Sequence, residues 1–154
     1  MRKLLKIGIA FLVLMAGCAA NQYKTGHTYN SYNIHNLKLK IPSKYKASEQ
    51  SVQDPAGDML IYRWKSLTGG TLEVLVWPTG PRIERGPMVV DTEEVTIVAN
   101  QQTKLIKASI FFGNKEEVLV VHLKNSRARY LINSKNININ EFKSILNSAE
   151  IVDN

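Results

Sequence analysis

The most reactive side chain in this sequence is the thiol of Cys18, the only cysteine among 154 residues. A single thiol excludes an internal disulfide and a cysteine-based metal cluster. Cys18 directly follows an apolar stretch, residues 7–15, and the small residues Ala16 and Gly17. A buried, unmodified thiol does not fit this position, so the sequence favours covalent modification beside a processing site.

The residues before Cys18 have the layout of a secretory signal. Arg2, Lys3 and Lys6 form a basic start, and the apolar stretch follows. That stretch is shorter than the roughly 20 residues that a transmembrane helix needs. A short signal anchor is the alternative reading, and its length disfavours it.

The segment Leu14-Met15-Ala16-Gly17-Cys18 resembles the lipobox of bacterial lipoproteins. In that family the cysteine receives a diacylglycerol, and a signal peptidase cuts just before it. The resemblance implies a leader over residues 1–17, a lipid anchor on Cys18 and a place in the cell envelope. Because Ala19 follows where Asp would mark retention, the family's sorting rule implies the outer membrane, facing the periplasm, in a Gram-negative host.

Charge and composition exclude several classes of protein. Charged residues make up 21% and hydrophobic residues 44% of the chain, as in ordinary globular domains. The net charge of +7 falls to +4 once the leader is removed, and the basic residues form no dense run. We therefore expect no nucleic-acid partner.

No pattern of catalytic residues stands out. The three histidines, His27, His35 and His122, lie far apart, and no nucleophile elbow, HExxH motif or phosphate-binding loop is present. The acidic pairs at 93–94 and 116–117 are adjacent in predicted strands, so their side chains point to opposite faces and form no acid–base pair. We expect a protein that is not an enzyme, with no cofactor and no metal.

Two groups of residues are candidates for binding a partner. Trp77 opens a loop over residues 78–87 that contains three prolines and the arginines Arg82 and Arg85, and such loops are common recognition surfaces. The alternative is a plain connector with Trp77 in the core. Arg127 and Arg129 alternate with apolar neighbours near Lys124, and here the alternative is a solubilising strand face.

The elements that must position these residues are mostly strands. Residues 18–33 read as a lipidated cysteine and a polar tether, with a reach of about 45 Å for its first 13 residues, and residues 34–154 as one domain. Alternating apolar residues and turn signals predict antiparallel strands joined by short connections. The predicted strands begin at Asn36 and then span 59–64, 71–77, 94–99 with Val95 and Ile97 inward, 103–112, 117–124 and 127–134.

The chain ends in a change of period. Asn140 is a candidate N-cap, and Phe142, Ile145, Leu146 and Ala149 fall on one helical stripe. A helix of about nine residues must pack on the sheet to be stable. The prediction is an α+β fold, an antiparallel sheet of about six to seven strands with a C-terminal helix on one face.

The helix can cover one face of such a sheet. Leu75, Trp77, Val118 and Val120 are apolar side chains that point to the face opposite the sets 72/74/76 and 119/121/123. Either another layer of this chain covers them, or they form an exposed patch of the kind that marks interaction sites.

The order of elements resembles the PsbP-like group of α+β domains, which includes DcrB-type envelope lipoproteins. The opening run Leu37–Tyr45, with its Ile-Pro-Ser-Lys-Tyr ending, and the closing run Glu141–Ser148 carry the likeness. The resemblance implies an accessory or binding role without shared enzyme activity. The leading hypothesis is an anchored domain that binds another envelope protein; the alternative is an immunity or inhibitor lipoprotein that neutralises an envelope-targeting hydrolase or toxin.

Overall fold

The computed structural model describes residues 28–53, 59–78, 88–112 and 114–152. Across these ranges the chain forms ten strands and one helix, which confirms the predicted α+β class. The elements in chain order are β1 Tyr29–Ile34, β2 Leu37–Pro42, β3 Lys46–Gln53, β4 Leu60–Lys65, β5 Thr71–Trp77, β6 Met88–Val98, β7 Gln101–Phe112, β8 Asn114–Lys124, β9 Arg129–Lys135, α1 Ile139–Asn147 and β10 Glu150–Ile151.

The strands form two antiparallel sheets. The large sheet has seven strands in the order β3-β4-β5-β9-β8-β7-β6. It includes β3, which was not predicted, whereas the predicted strand after Asn36 is β2 and lies in the small sheet. A small sheet, β1-β2-β10, was not predicted. Residues 29–33 were assigned to the tether, and this was wrong, because they pair with β2 along its whole length. Their mostly polar, exposed side chains gave no apolar alternation to indicate a strand.

The core lies between the large sheet, the small sheet and α1. Phe142, Ile145 and Leu146 of the helix are at most 2% exposed, so the helix does cover one face of the large sheet, the inner face. Asn138, rather than the predicted Asn140, is the N-cap, and its side chain accepts a hydrogen bond from the Asn140 N–H at 2.8 Å. The inner face also carries Trp64, Leu72, Val74, Val76, Leu105, Leu119, Val121, Leu123, Tyr130 and Ile132.

The other face of the large sheet, the outer face, is apolar at its centre. Leu75 and Trp77 cluster with Met59, while Val118 and Val120 cluster with Ala108. The four residues predicted to point away from the helix are between 0% and 7% exposed; they are Leu75, Trp77, Val118 and Val120. The exposed-patch alternative is therefore wrong for these residues, and the covered alternative holds.

Strand β6 is an edge strand whose orientation was predicted wrongly. Val95 and Ile97 are 63% and 69% exposed, whereas Val98 is buried in the core. The inward side of β6 carries Glu94, which reaches Lys143 of the helix at 2.8 Å. A polar inward residue is possible here because the edge of the sheet extends beyond the dry core.

The described chain begins with Thr28 at one end of the large sheet, which we call the entry point. Thr28 is held to Ser43 by a backbone hydrogen bond of 2.8 Å, and Tyr45 lies beside Gly70 in the β4–β5 turn. Tyr45 is buried next to Glu141, and burial raises its pKa well above the ordinary value, with the nearby carboxylate adding to the effect. The entry point thus lies at the end where β5 begins.

The opposite end of the large sheet is marked by the β1–β2 turn. The Tyr130 hydroxyl, on β9, donates a hydrogen bond to the backbone carbonyl of His35. His35 and Asn36 both have positive φ angles, 45° and 70°, as a tight two-residue turn requires. Strand β5 has seven residues and runs from one end of the sheet to the other. At a rise of 3.2–3.4 Å per residue, the two ends lie about 20 Å apart.

Candidate functional site

A cleft of about 600 Å³ opens at the end of the large sheet that carries Tyr130. Its walls are the end of β5 and the turn that joins β8 to β9. The lining residues are Trp77, Pro78, Asn125, Ser126, Arg127, Ala128 and Arg129. We call this the basic cleft. Three of the five residues predicted to bind a partner, Trp77, Arg127 and Arg129, meet here.

Asn125 fixes the shape of the β8–β9 turn. Its side-chain oxygen accepts hydrogen bonds from the backbone N–H groups of Arg127 and Ala128, at 2.9 and 2.6 Å. Its side-chain amide donates to the Tyr130 hydroxyl at 3.1 Å. The β8–β9 turn is therefore held by hydrogen bonds within the turn and, through Tyr130, by a hydrogen bond to the β1–β2 turn. The wall of the cleft is thus formed before any ligand binds.

The turn holds its arginines outward. Ala128 and Tyr130 are 8% and 1% exposed, whereas Arg127 and Arg129 are exposed, as the alternation in sequence predicted. Arg129 lies directly across from Trp77 on β5 and from Lys124 on β8. Side chains opposite one another in antiparallel strands are neighbours, about 4.5–5.5 Å apart at Cβ. Trp77, Arg129 and Lys124 thus form one row across three strands.

Arg127 and Arg129 make the basic cleft positively charged, and Lys124, directly across from Arg129, extends this charge onto β8. Like charges directly opposite each other in a sheet destabilise it. Among the residues that the structure describes, no carboxylate pairs with Lys124, Arg127 or Arg129. Six other basic residues do have such partners: Lys44–Glu141, Arg63–Glu73, Lys104–Glu93, Lys107–Glu117, Lys135–Glu116 and Lys143–Glu94, at 2.5–3.1 Å.

Trp77 is a wall of the cleft and not an exposed anchor. Its side chain is 3% exposed and packs with Met59 and Leu75, so the core interpretation of this residue is the correct one. Its indole N–H is buried and has no hydrogen-bond acceptor within the described ranges. An indole N–H can only donate, so this group stays unsatisfied in the interior, as does the indole N–H of Trp64 on the inner face.

A second cleft of about 330 Å³ adjoins the first and shares Trp77 and Arg129 with it. It adds Lys124 and the β6–β7 turn end, where Gln101 bonds to the backbone of Lys124 in both directions, at 2.5 and 3.2 Å. The sequence analysis did not select Gln101 as a site residue. The topology alone brings the β6–β7 turn next to the β8–β9 turn.

Other predicted residues fall outside this site. Cys18, Arg82 and Arg85 lie outside the described residues, so their roles stay predictions. The adjacent acidic residues do point apart: Glu93 and Glu94 bind Lys104 and Lys143, and Glu116 and Glu117 bind Lys135 and Lys107. His122 lies on the outer face near the second cleft, with Leu131 as its cross-strand neighbour.

No protein-family model matches this sequence, and no curated protein matches it. The site must therefore be interpreted from its own chemistry. Within the part of the chain that the structure covers, no group of three or more His, Cys, Asp or Glu side chains could hold a metal ion. In the same ranges, no helix is long and apolar enough to cross a bilayer. What the arrangement does offer is a rigid, concave, positively charged surface.

Proposed function

We propose that this protein is a lipid-anchored envelope lipoprotein whose domain binds another envelope protein and performs no catalysis itself. The anchor rests on the lipobox that ends at Cys18 and on the tether that follows it. The binding role rests on the basic cleft. A preformed concave surface with exposed arginines is a typical recognition site, because arginine is enriched among residues that dominate binding energy.

One observation carries this proposal: the basic cleft and the point where the tether enters lie at opposite ends of the domain. Thr28, at the entry, is tied to Ser43, whereas the cleft is tied to His35 at the other end of β1. A domain attached to a membrane by the first end presents the second end away from that membrane. A protein partner in the aqueous envelope suits this arrangement better than a lipid headgroup.

The tether limits how far the site can reach. Because β1 begins at Tyr29, ten residues, 19–28, separate the lipidated cysteine from the domain. At 3.3–3.6 Å per residue these span at most about 35 Å. The cleft could therefore contact proteins in the same membrane or close to it.

Site-specific photocrosslinking in cells tests the proposal. A photoreactive amino acid replaces Ser126, which is exposed in the basic cleft, in the lipidated protein. The matched control replaces Leu67, which is fully exposed in the β4–β5 turn at the tether end. We expect one discrete protein adduct from position 126 that position 67 does not give, identified as an envelope protein by mass spectrometry. Identical adducts from both positions, or adducts of lipid from position 126, would contradict the proposal.

A further inference from the structure

Resting on the proposed function, we infer that the basic cleft recognises carboxylate groups on an acidic segment of the partner. Positive charge without a carboxylate partner gathers in the basic cleft and in the second cleft beside it, which adds Lys124. Lys124, Arg127 and Arg129 are exposed, and in the described chain none of them has a carboxylate partner, although carboxylates neutralise six basic side chains elsewhere in the domain. A carboxylate from another molecule would supply the missing counter-charge.

The two arginines suit an oxyanion such as a carboxylate. Arg127 and Arg129 are two residues apart, and both line the cleft together with Ala128 between them. The guanidinium group presents a rigid fork of donors that matches a carboxylate in a bidentate arrangement, and a lysine lacks this fork. The hydrogen bonds of Asn125 hold the backbone of this turn in place before any ligand binds. Binding therefore costs little conformational entropy in this segment.

The cross-strand register extends the positive charge along the sheet. Trp77, Arg129 and Lys124 form one row across β5, β9 and β8. Trp77 is 3% exposed and its indole N–H is buried, so it contributes a wall and offers no donor to a ligand. Arg129 and Lys124 are exposed, so the row presents two adjacent cations to a partner.

The shape favours an extended segment of several residues. The two adjoining clefts share Trp77 and Arg129, and together they run from the β8–β9 turn to the β6–β7 turn. A single small anion would fill a fraction of the 600 Å³ and 330 Å³ volumes. An acidic peptide would place successive carboxylates at Arg127, Arg129 and Lys124.

Peptide binding to the lipidated full chain, held in phosphatidylcholine vesicles, tests this inference. The probe is a fluorophore-labelled hexaglutamate peptide, and hexaglutamine is the uncharged comparison. Replacing both arginines, Arg127→Gln with Arg129→Gln, should weaken hexaglutamate binding about tenfold or more, as for charge pairs in a binding site. Raising the ionic strength from about 0.05 to 0.3 M should also weaken it, because screening shortens the range of exposed charges.

Matched variants distinguish binding at the basic cleft from attraction to the net positive charge of the domain. Lys46→Gln with Lys65→Gln removes the same charge from two exposed cross-strand neighbours at the opposite end of the large sheet, and should change binding less than about twofold. Equal weakening by the two double variants would overturn the inference.

Two further outcomes identify the source of a failure. If soluble glycerophosphoglycerol displaces hexaglutamate at lower concentration than unlabelled hexaglutamate does, the cleft is a lipid-headgroup site and the inference is wrong. If the crosslinked protein adduct from position 126 persists in the double arginine variant, the proposed function stands but carboxylate recognition by these arginines does not. Loss of the adduct with loss of peptide binding supports both.

Discussion

At the scale of single residues, Tyr130 connects the basic cleft to the rest of the domain. Its ring is 1% exposed, and its hydroxyl donates to the His35 carbonyl and accepts from the Asn125 amide. These two hydrogen bonds join the β8–β9 turn to the β1–β2 turn. The side chain thus belongs to both the hydrophobic core and the polar framework that holds Arg127 in place.

Replacing Tyr130 with Phe removes this connection while keeping the ring. We expect the free energy of unfolding to fall by about 1–2 kcal/mol, because two part-buried hydrogen bonds are lost. Urea unfolding of the purified protein measures this. Tyr29→Phe is the control, since Tyr29 is 43% exposed and its hydroxyl makes only a long contact, 3.5 Å, with the Ser144 hydroxyl. This substitution should change the free energy of unfolding by less than about 0.5 kcal/mol. Equal effects would mean that the Tyr130 hydroxyl has no structural role.

At the scale of elements, the helix α1 completes the core. Phe142 is fully buried between the helix and the sheets. Phe142→Ala should therefore lower the free energy of unfolding by about 3–5 kcal/mol, the sum of lost burial and the cavity left behind. Asn147→Ala, at an exposed position of the same helix, should change it by less than about 0.5 kcal/mol. A thermal unfolding series compares the two, and an unchanged melting temperature for Phe142→Ala would contradict the packing described above.

Edge strand β6 offers a direct test of which side faces the core. Val98 is 1% exposed and Ile97 is 69% exposed, although the sequence pattern favours the opposite assignment. Val98→Ser should destabilise the protein by about 2–4 kcal/mol, because it leaves a cavity and buries a hydroxyl. Ile97→Ser should stay within about 0.5 kcal/mol. If chemical denaturation ranks the two variants in reverse order, the register of β6 is shifted by one residue.

At the scale of the whole molecule, the proposed anchor and the basic cleft would give the protein two functional ends. The sequence predicts the anchor at Cys18, and the fold carries the basic cleft at the end of the large sheet away from Thr28. Attachment through a short tether would restrict the cleft to partners near one membrane surface. A high local concentration of both proteins compensates for a modest affinity in such an arrangement.

Metabolic labelling with a fatty-acid analogue tests the anchor. Cys18→Ser should abolish the label and leave the precursor uncut, because a hydroxyl does not replace the thiol that receives the diacylglycerol. Ala19→Asp is the control: it should keep the label and move the protein toward the inner membrane in an enteric host. Label on the Cys18→Ser protein would mean that the lipobox reading is wrong.

The sequence by itself determined the class of fold and the course of most strands. Strand β5 was predicted to the residue, because alternating apolar positions and the flanking Gly69-Gly70 and Pro78 define it locally. The closing helix followed from its stripe of Phe142, Ile145 and Leu146, and the outward alternation of Arg127 and Arg129 followed from the period of a strand. These features depend on neighbours in the chain.

Only the tertiary structure decided the rest, because it depends on neighbours in space. Strand β1 is polar in sequence and exists because β2 offers it a partner. The orientation of β6 depends on where the core ends, which no local pattern encodes. The basic cleft forms because Trp77 on β5, Arg129 on β9 and Lys124 on β8 occupy one row of the sheet, and strand order and register set that row.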